Sequence, residues 1–118
     1  MQTIGNGQLL RVIVGEGDRF EGRPLYEAIV LQARALGLAG ATATRAVMGF
    51  GASSHLHTTK ILRLSLDLPM VIEIVDSEEK IQSFLPVLDK IMGDGLVTME
   101  KVNVIERSAN ATIEARDV

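Results

Sequence analysis

The residues of this sequence best suited to chemistry lie in a stretch without carboxylates. No Asp or Glu occurs between Glu27 and Asp67, whereas that stretch holds four cationic side chains and both histidines of the chain: Arg34, Arg45, Lys60, Arg63, His55 and His57. A local excess of positive charge is typical of a site for an anionic partner. We therefore predict an anion-binding loop in this part of the chain.

Arg45 is the most informative of these cations. The sequence predicts a strand from Ala41 to Met48, on which Arg45 shares a face with the apolar Ala43 and Val47. Because arginine is rarely buried unpaired, two interpretations are open. Arg45 forms a salt bridge with a structural acid, or it clamps a phosphate or carboxylate with its guanidinium.

The loop that follows supplies the other candidate ligand-binding residues. Its segment Gly49-Phe50-Gly51-Ala52-Ser53-Ser54 suits a nest of backbone N–H groups for phosphate, although it lacks the G-x-G-x-x-G spacing and also fits a flexible hairpin. Lys60 is a second cation for phosphate oxygens, and His55 and His57 would line the loop. The predicted ligand-binding set is Arg45, Gly49, Phe50, Gly51, His55, His57 and Lys60.

Two other chemistries have candidate residues. His55-Leu56-His57 would place two imidazoles on one face of an extended chain, which is half of a zinc or copper site. Glu16, Asp18 and Glu21 offer acid/base groups or metal ligands in an early loop. No spacing indicates a catalytic triad or an activated nucleophile, so we predict a non-enzymatic protein with no required cofactor.

Composition narrows the class of protein further. The 118 residues include no cysteine, which excludes disulfides, thiolate metal sites and a cysteine nucleophile. A net charge of −3 and 3% aromatic residues disfavour a nucleic-acid partner. No apolar run reaches the ~20 residues that a membrane helix needs, and the N-terminus lacks a signal-peptide pattern, so we expect a cytoplasmic domain that is not itself a membrane protein.

Hydrophobic periodicity predicts the elements that position these residues. Strands are expected at 9–14, 41–48, 62–75 with an interruption at Pro69, and 96–105. One helix should have Pro24 as its first residue and end at Gly37. A second should follow an Asp76 cap, carry the apolar stripe from Ile81 to Met92, and kink at Pro86. Residues 1–7 are an N-terminal segment, 8–106 the domain, and 107–118 a polar tail expected to be disordered.

The order βαββαβ predicts an α+β, ferredoxin-like fold with an antiparallel sheet and two helices on one face. The other face would be bare, and in a chain with 47% hydrophobic residues we expect another subunit to cover it.

Several segments together resemble the PII-like family, relatives of the nitrogen-regulatory PII signalling proteins. The resemblance spans about 8–106 and rests on GRPLYEA (22–28), GLAGAT (37–42), GFG (49–51), HTTKIL (57–62) and DLPMVIEIVD (67–76). It implies a homotrimer, an adenine-nucleotide effector between subunits, and a loop at about 49–59 that presents the effector state to a partner. A membrane ion transporter or a regulated enzyme is the kind of partner implied.

The sequence departs from PII proper at two places. The only tyrosine, Tyr26, lies on the first helix, so control through uridylylation of a loop tyrosine is not expected. The second phosphate loop is reduced to Gly93-Asp94-Gly95, without a base, which favours AMP or ADP over ATP. The alternative is a metal-binding trimer that resembles copper-tolerance proteins and uses His55 and His57.

Overall fold

The computed structural model describes residues 2–50 and 67–106. Six strands and two helices follow one another in these ranges: β1 (Gln2–Gly15), β2 (Arg19–Phe20), β3 (Arg23–Pro24), α1 (Leu25–Ala35), β4 (Gly40–Arg45), β5 (Pro69–Ser77), α2 (Glu78–Ile91) and β6 (Leu96–Glu106). In the described part of the chain, no helix is long and apolar enough to cross a membrane.

The main sheet has four antiparallel strands in the order β4-β5-β1-β6. The N-terminal strand is therefore central, and it pairs with β5 from Gly7 to Gly15 and with β6 along nearly its whole length. Pairing with β6 continues to Gln2↔Glu106, which explains why β1 is much longer than the 9–14 predicted. The topology confirms the ferredoxin-like fold.

Both helices pack on one face of this sheet. Strand residues alternate between the two faces of a sheet. The inward-facing apolar residues of β1 and β5 pack against apolar residues of both helices and form one buried core. Its members are Leu10, Val12, Val14, Met70, Ile72, Ile74, Leu25, Ile29, Ala33, Ile81, Phe84, Leu88 and Ile91. The predicted α2 stripe is part of this core. Burial of these side chains is the main stabilisation of the fold.

Helix α1 ends as the sequence predicts. Gly37 has φ +76°, its N–H donates to the Arg34 carbonyl, and the Leu38 N–H donates to the Ala33 carbonyl. These two bonds form a Schellman motif, for which glycine is favoured because it adopts positive φ without strain. At the other end the helix begins at Leu25, so the predicted start at Pro24 is wrong by one residue: Pro24 has an extended ψ of 135° and is the N-cap.

The N-cap of α2 is Ser77, and the predicted Asp76 cap is wrong by one residue. Ser77 Oγ accepts from the Lys80 N–H at 3.3 Å. Asp76 belongs to the inward row of β5, where it is 4% exposed, and its Oδ2 accepts from the Ala39 N–H at 2.8 Å. The carboxylate therefore ties the loop between α1 and β4 to the end of β5.

Strand β4 is shorter than predicted, ending at Arg45 rather than Met48. The reason is Pro69, which begins β5: proline has no N–H to extend the ladder. The last bond there runs from the Ala46 N–H to the Pro69 carbonyl at 2.9 Å. Of the strand expected over 62–68, positions 67 and 68 precede β5 as irregular chain and 62–66 lie outside the described residues.

The second face of the sheet, here called the open face, carries no helix from residues 2–50 or 67–106. It presents half-buried apolar residues, among them Leu9, Ile13, Val71 and Val75. At its centre the Arg11 Nη2 lies 2.7 Å from Glu73 Oε2 on the paired strand. An apolar face with a central charged group is suited to contact with another protein surface.

Candidate functional site

The candidate site lies at one end of the sheet, where β1 and β4 end and β5 begins. We call this region the loop end and define it by 15–18, 45–50 and 67–69. Two backbone bonds hold the three segments together: the Glu16 N–H donates to the Leu68 carbonyl at 2.8 Å, and the Ala46 N–H donates to the Pro69 carbonyl. The predicted loop leaves and rejoins the described structure at this point.

Arg45 forms an ion pair with the loop after β1. Its Nε lies 2.9 Å from Glu16 Oε2, and the two side chains are 51% and 30% exposed. The salt bridge that sequence reasoning left open is thus present. The expected apolar row is present in part. Ala43 lies on the same core-facing side of β4 as Arg45 and packs against the core. Val47 lies beyond the end of the strand and is 95% exposed, and Arg45 is the exposed last residue of this edge strand.

Gly49 makes a close backbone approach to the start of β5. Its φ is +154°, and a Cβ added to it would lie 3.3 Å from Pro69 Cγ. A larger residue would therefore crowd the base of the loop. Next to it, Val47, Met48 and Phe50 are 95%, 81% and 75% exposed, so three large apolar side chains project at the point where the loop begins.

Two of the acids at the loop end have structural partners. Asp18 Oδ2 accepts from the Gly15 N–H at 2.9 Å, and Asp67 Oδ1 accepts from the Gly17 N–H at 3.1 Å. Both carboxylates thus hold the turn after β1. No group of three or more His, Asp or Glu side chains suited to a metal occurs within 2–50 and 67–106.

The loop after β1 also contains a hairpin that the sequence did not reveal. Strands β2 and β3 pair across Glu21 and Gly22, whose φ values are +49° and +82°. Positive φ at both central positions is the pattern of a type I′ turn. The hairpin places Glu21 at a turn, whereas Glu16 points to Arg45, so the three acids of this loop do not act as one group.

The structure places three of the seven predicted ligand-binding residues, Arg45, Gly49 and Phe50, at the loop end. The other four, Gly51, His55, His57 and Lys60, lie outside the described residues. The sequence suggested Glu16 only as an acid/base group or metal ligand. Its contact with Arg45 was not predicted.

The fold defines a class of protein by its similarity to solved structures. The chain is similar to a protein of Thermus thermophilus described as a PII-like signaling protein, with a TM-score of 0.58, 19% identity, and coverage of 89% of this chain and 94% of that one. It is also similar to CPII of Thiomonas intermedia bound to ADP, AMP and acetate, with a TM-score of 0.53, 16% identity, and coverage of 90% and 94%. The chain therefore has the PII-like fold.

Sequence comparison then identifies the family. The model of the DUF190 family, described as uncharacterized ACR, matches residues 7–104, and the chain belongs to this family. A UPF0166 protein of Aquifex aeolicus is 42% identical over 100 residues, which cover 83% of this chain and 92% of the relative. A UPF0166 protein of Methanocaldococcus jannaschii is 36% identical over 98 residues, covering 82% and 90%.

Proposed function

We propose that this chain is a cytoplasmic, non-enzymatic PII-like signalling protein that binds an adenine nucleotide and presents a loop at about 49–59 to a partner protein. The observation that carries this proposal is the position of Arg45. A half-exposed guanidinium stands at the end of β4, where the predicted loop departs and where β5 begins. An anion bound there would touch the base of the loop directly.

The residues around Arg45 suit a nucleotide in two further respects. Gly49 supports close approach of the backbone, and Phe50 exposes an aromatic ring that a base can stack on. Gly51, His55, His57 and Lys60 complete the proposed binding set, with Lys60 as a second phosphate contact. These assignments rest on residue type and on the place of the loop in the chain.

AMP or ADP is the preferred effector in this proposal. The turn before β6 carries Asp94 between two glycines and no base, so it offers no cation to a third phosphate. CPII of Thiomonas intermedia, which shares the fold, was solved with ADP and AMP. That neighbour supports an adenine nucleotide as the ligand class here.

The assembly in this proposal is a homotrimer that buries the open face of each sheet. Its half-buried apolar residues would gain from contact with a second copy. The exposed Val47 and Met48 at the base of the loop would then be directed to a different protein. A membrane ion transporter or a regulated enzyme is the proposed partner.

Calorimetric titration of the purified protein with AMP, ADP, ATP and cyclic nucleotides tests the proposal. We expect micromolar binding of AMP or ADP that Arg45→Ala weakens at least about tenfold, since a hydrogen bond to a charged group contributes about 1.5–3 kcal/mol. Arg34→Ala, at an exposed position in the last turn of α1, is the matched control and should bind like the wild type. Failure of all these nucleotides to bind would overturn the proposal.

A further inference from the structure

We propose that Glu16 is a built-in competitor for the anion site, which an incoming phosphate group must displace from Arg45. This inference deepens the proposed function and rests on it for the nature of the natural ligand. It concerns a residue outside the predicted binding set. The juxtaposition of Glu16 and Arg45, from segments that are distant in the sequence, is the observation that carries it.

The geometry makes the Glu16 carboxylate a substitute for an anionic ligand. Its Oε2 lies 2.9 Å from Arg45 Nε in an ion pair, where an oxygen of a phosphate group would otherwise bind the same guanidinium. The carboxylate and an anion at Nε therefore cannot occupy this position together. Affinity for the anion is reduced by the free energy needed to break the ion pair.

That free energy is small, because the pair lies at the surface. The side chains of Arg45 and Glu16 are 51% and 30% exposed, and exposed ion pairs are among the weakest interactions in proteins. A phosphate group with more than one charged oxygen can bind Arg45 with a free energy larger than that of the ion pair. The Glu16 carboxylate therefore lowers the affinity for every anion without preventing binding. The relative effect is greatest for weakly charged anions, which Glu16 thus selects against.

Displacement of the Glu16 side chain would also affect the segment at 67–69, where the loop rejoins the sheet. The backbone N–H of the same residue donates to the Leu68 carbonyl, and the next N–H, of Gly17, donates to Asp67 Oδ1. Glu16 thus touches Arg45, from which the loop departs, and the segment by which it returns. Release of its side chain by an anion would alter both anchors of the loop, which gives the binding event a physical route to the partner surface.

The test titrates the full chain with inorganic pyrophosphate and follows the NMR signal of the Arg45 Nε–H group. This signal is assigned from its loss in Arg45→Lys. The variant is Glu16→Gln, and the matched control is Glu21→Gln, which removes the same charge from the same loop. We expect Glu16→Gln to bind pyrophosphate about two- to fivefold more tightly than Glu21→Gln, the range that a surface ion pair supports. Glu16→Ala repeats the measurement should the glutamine variant fold poorly.

Equal affinities in the two variants would overturn the inference, because a general charge effect would then account for any gain. An Arg45 signal that ignores pyrophosphate in every variant would overturn it as well. The nucleotide titrations are a separate result. If pyrophosphate binds at Arg45 and Glu16→Gln tightens it while no nucleotide binds, the competitor stands and the proposed function fails.

Discussion

Arg11 and Glu73 are joined across neighbouring strands at the centre of the open face. Both Nε and Nη2 of Arg11 donate to the same oxygen, Oε2 of Glu73, at 3.1 and 2.7 Å. A second carboxylate, that of Glu100, lies 3.8 Å from Nη2 on the other neighbouring strand. Arg11 therefore separates two acids that would otherwise face each other on a surface proposed for subunit contact.

Substitution Arg11→Met should weaken the proposed trimer. It would leave the carboxylates of Glu73 and Glu100 without their cation on a face that the proposed assembly would desolvate, and an uncompensated buried charge costs several kcal/mol. We expect the protein concentration at half-dissociation, measured by analytical ultracentrifugation, to rise at least about tenfold.

The double variant Arg11→Met, Glu73→Leu is the informative control for this prediction. Replacing a buried ion pair by apolar residues of similar size is often neutral or stabilising. The double variant should therefore recover much of the lost assembly. If both variants assemble like the wild type, the open face is not the subunit interface.

Asp76→Asn should destabilise the fold. The Asp76 carboxylate is 4% exposed and accepts from the N–H groups of Ala39 and Ser77, and the amide can offer only one acceptor oxygen while its NH₂ group faces a donor. We expect the free energy of unfolding in urea to fall by about 2–4 kcal/mol. Asp94→Asn, at an exposed position, should change it little, and equal effects of the two substitutions would contradict a structural role for Asp76.

Gly95→Ala and Gly93→Ala form a matched pair in the turn before β6. A Cβ on Gly95 would lie 2.9 Å from the Ile13 carbonyl oxygen, which cannot move without disturbing the central strand, whereas a Cβ on Gly93 meets nothing within 4 Å. Thermal unfolding should show a loss of about 1–3 kcal/mol for Gly95→Ala and little or no loss for Gly93→Ala. A reversed order would show that the turn packs differently from the structure described.

Nucleotide binding should protect one end of the sheet from hydrogen exchange. With saturating ADP, we expect slower exchange of the amides of Glu16, Gly17 and Ala46, which join the segments of the loop end. The turn at 37–40 lies at the opposite end of the sheet and should be unaffected. Mass spectrometry of the exchanged protein measures both regions, and protection confined to 37–40 would place the ligand elsewhere.

The sequence predicted the elements well where periodicity is strong. The α2 stripe and the Gly37 turn are local patterns, and both are confirmed. The cap of α2 was misplaced because Asp76 and Ser77 are both good N-cap residues. Which of the two caps the helix depends on β5, because its alternation of inward and outward residues directs Asp76 into the core and leaves Ser77 as the cap.

The candidate site was less predictable, because its contacts are long-range. A stretch without acids in the sequence says nothing about acids brought to it by folding, and Glu16 reaches Arg45 through the packing of β1 beside β5. The end of β4 was missed for a similar reason. Its length depends on Pro69, its partner in the sheet rather than its neighbour in the sequence.

The central place of β1 has a consequence for how the chain folds. Leu10 is synthesised well before its partners in the sheet, Ile74 and Met99, which lie far along the chain. The ribosome must therefore release most of the domain before the first strand has either neighbour. Such a high contact order favours slow folding, and the apolar residues of β1 stay exposed until β5 and β6 are available for pairing. A nascent chain that stalls before β6 would be the form most in need of a chaperone.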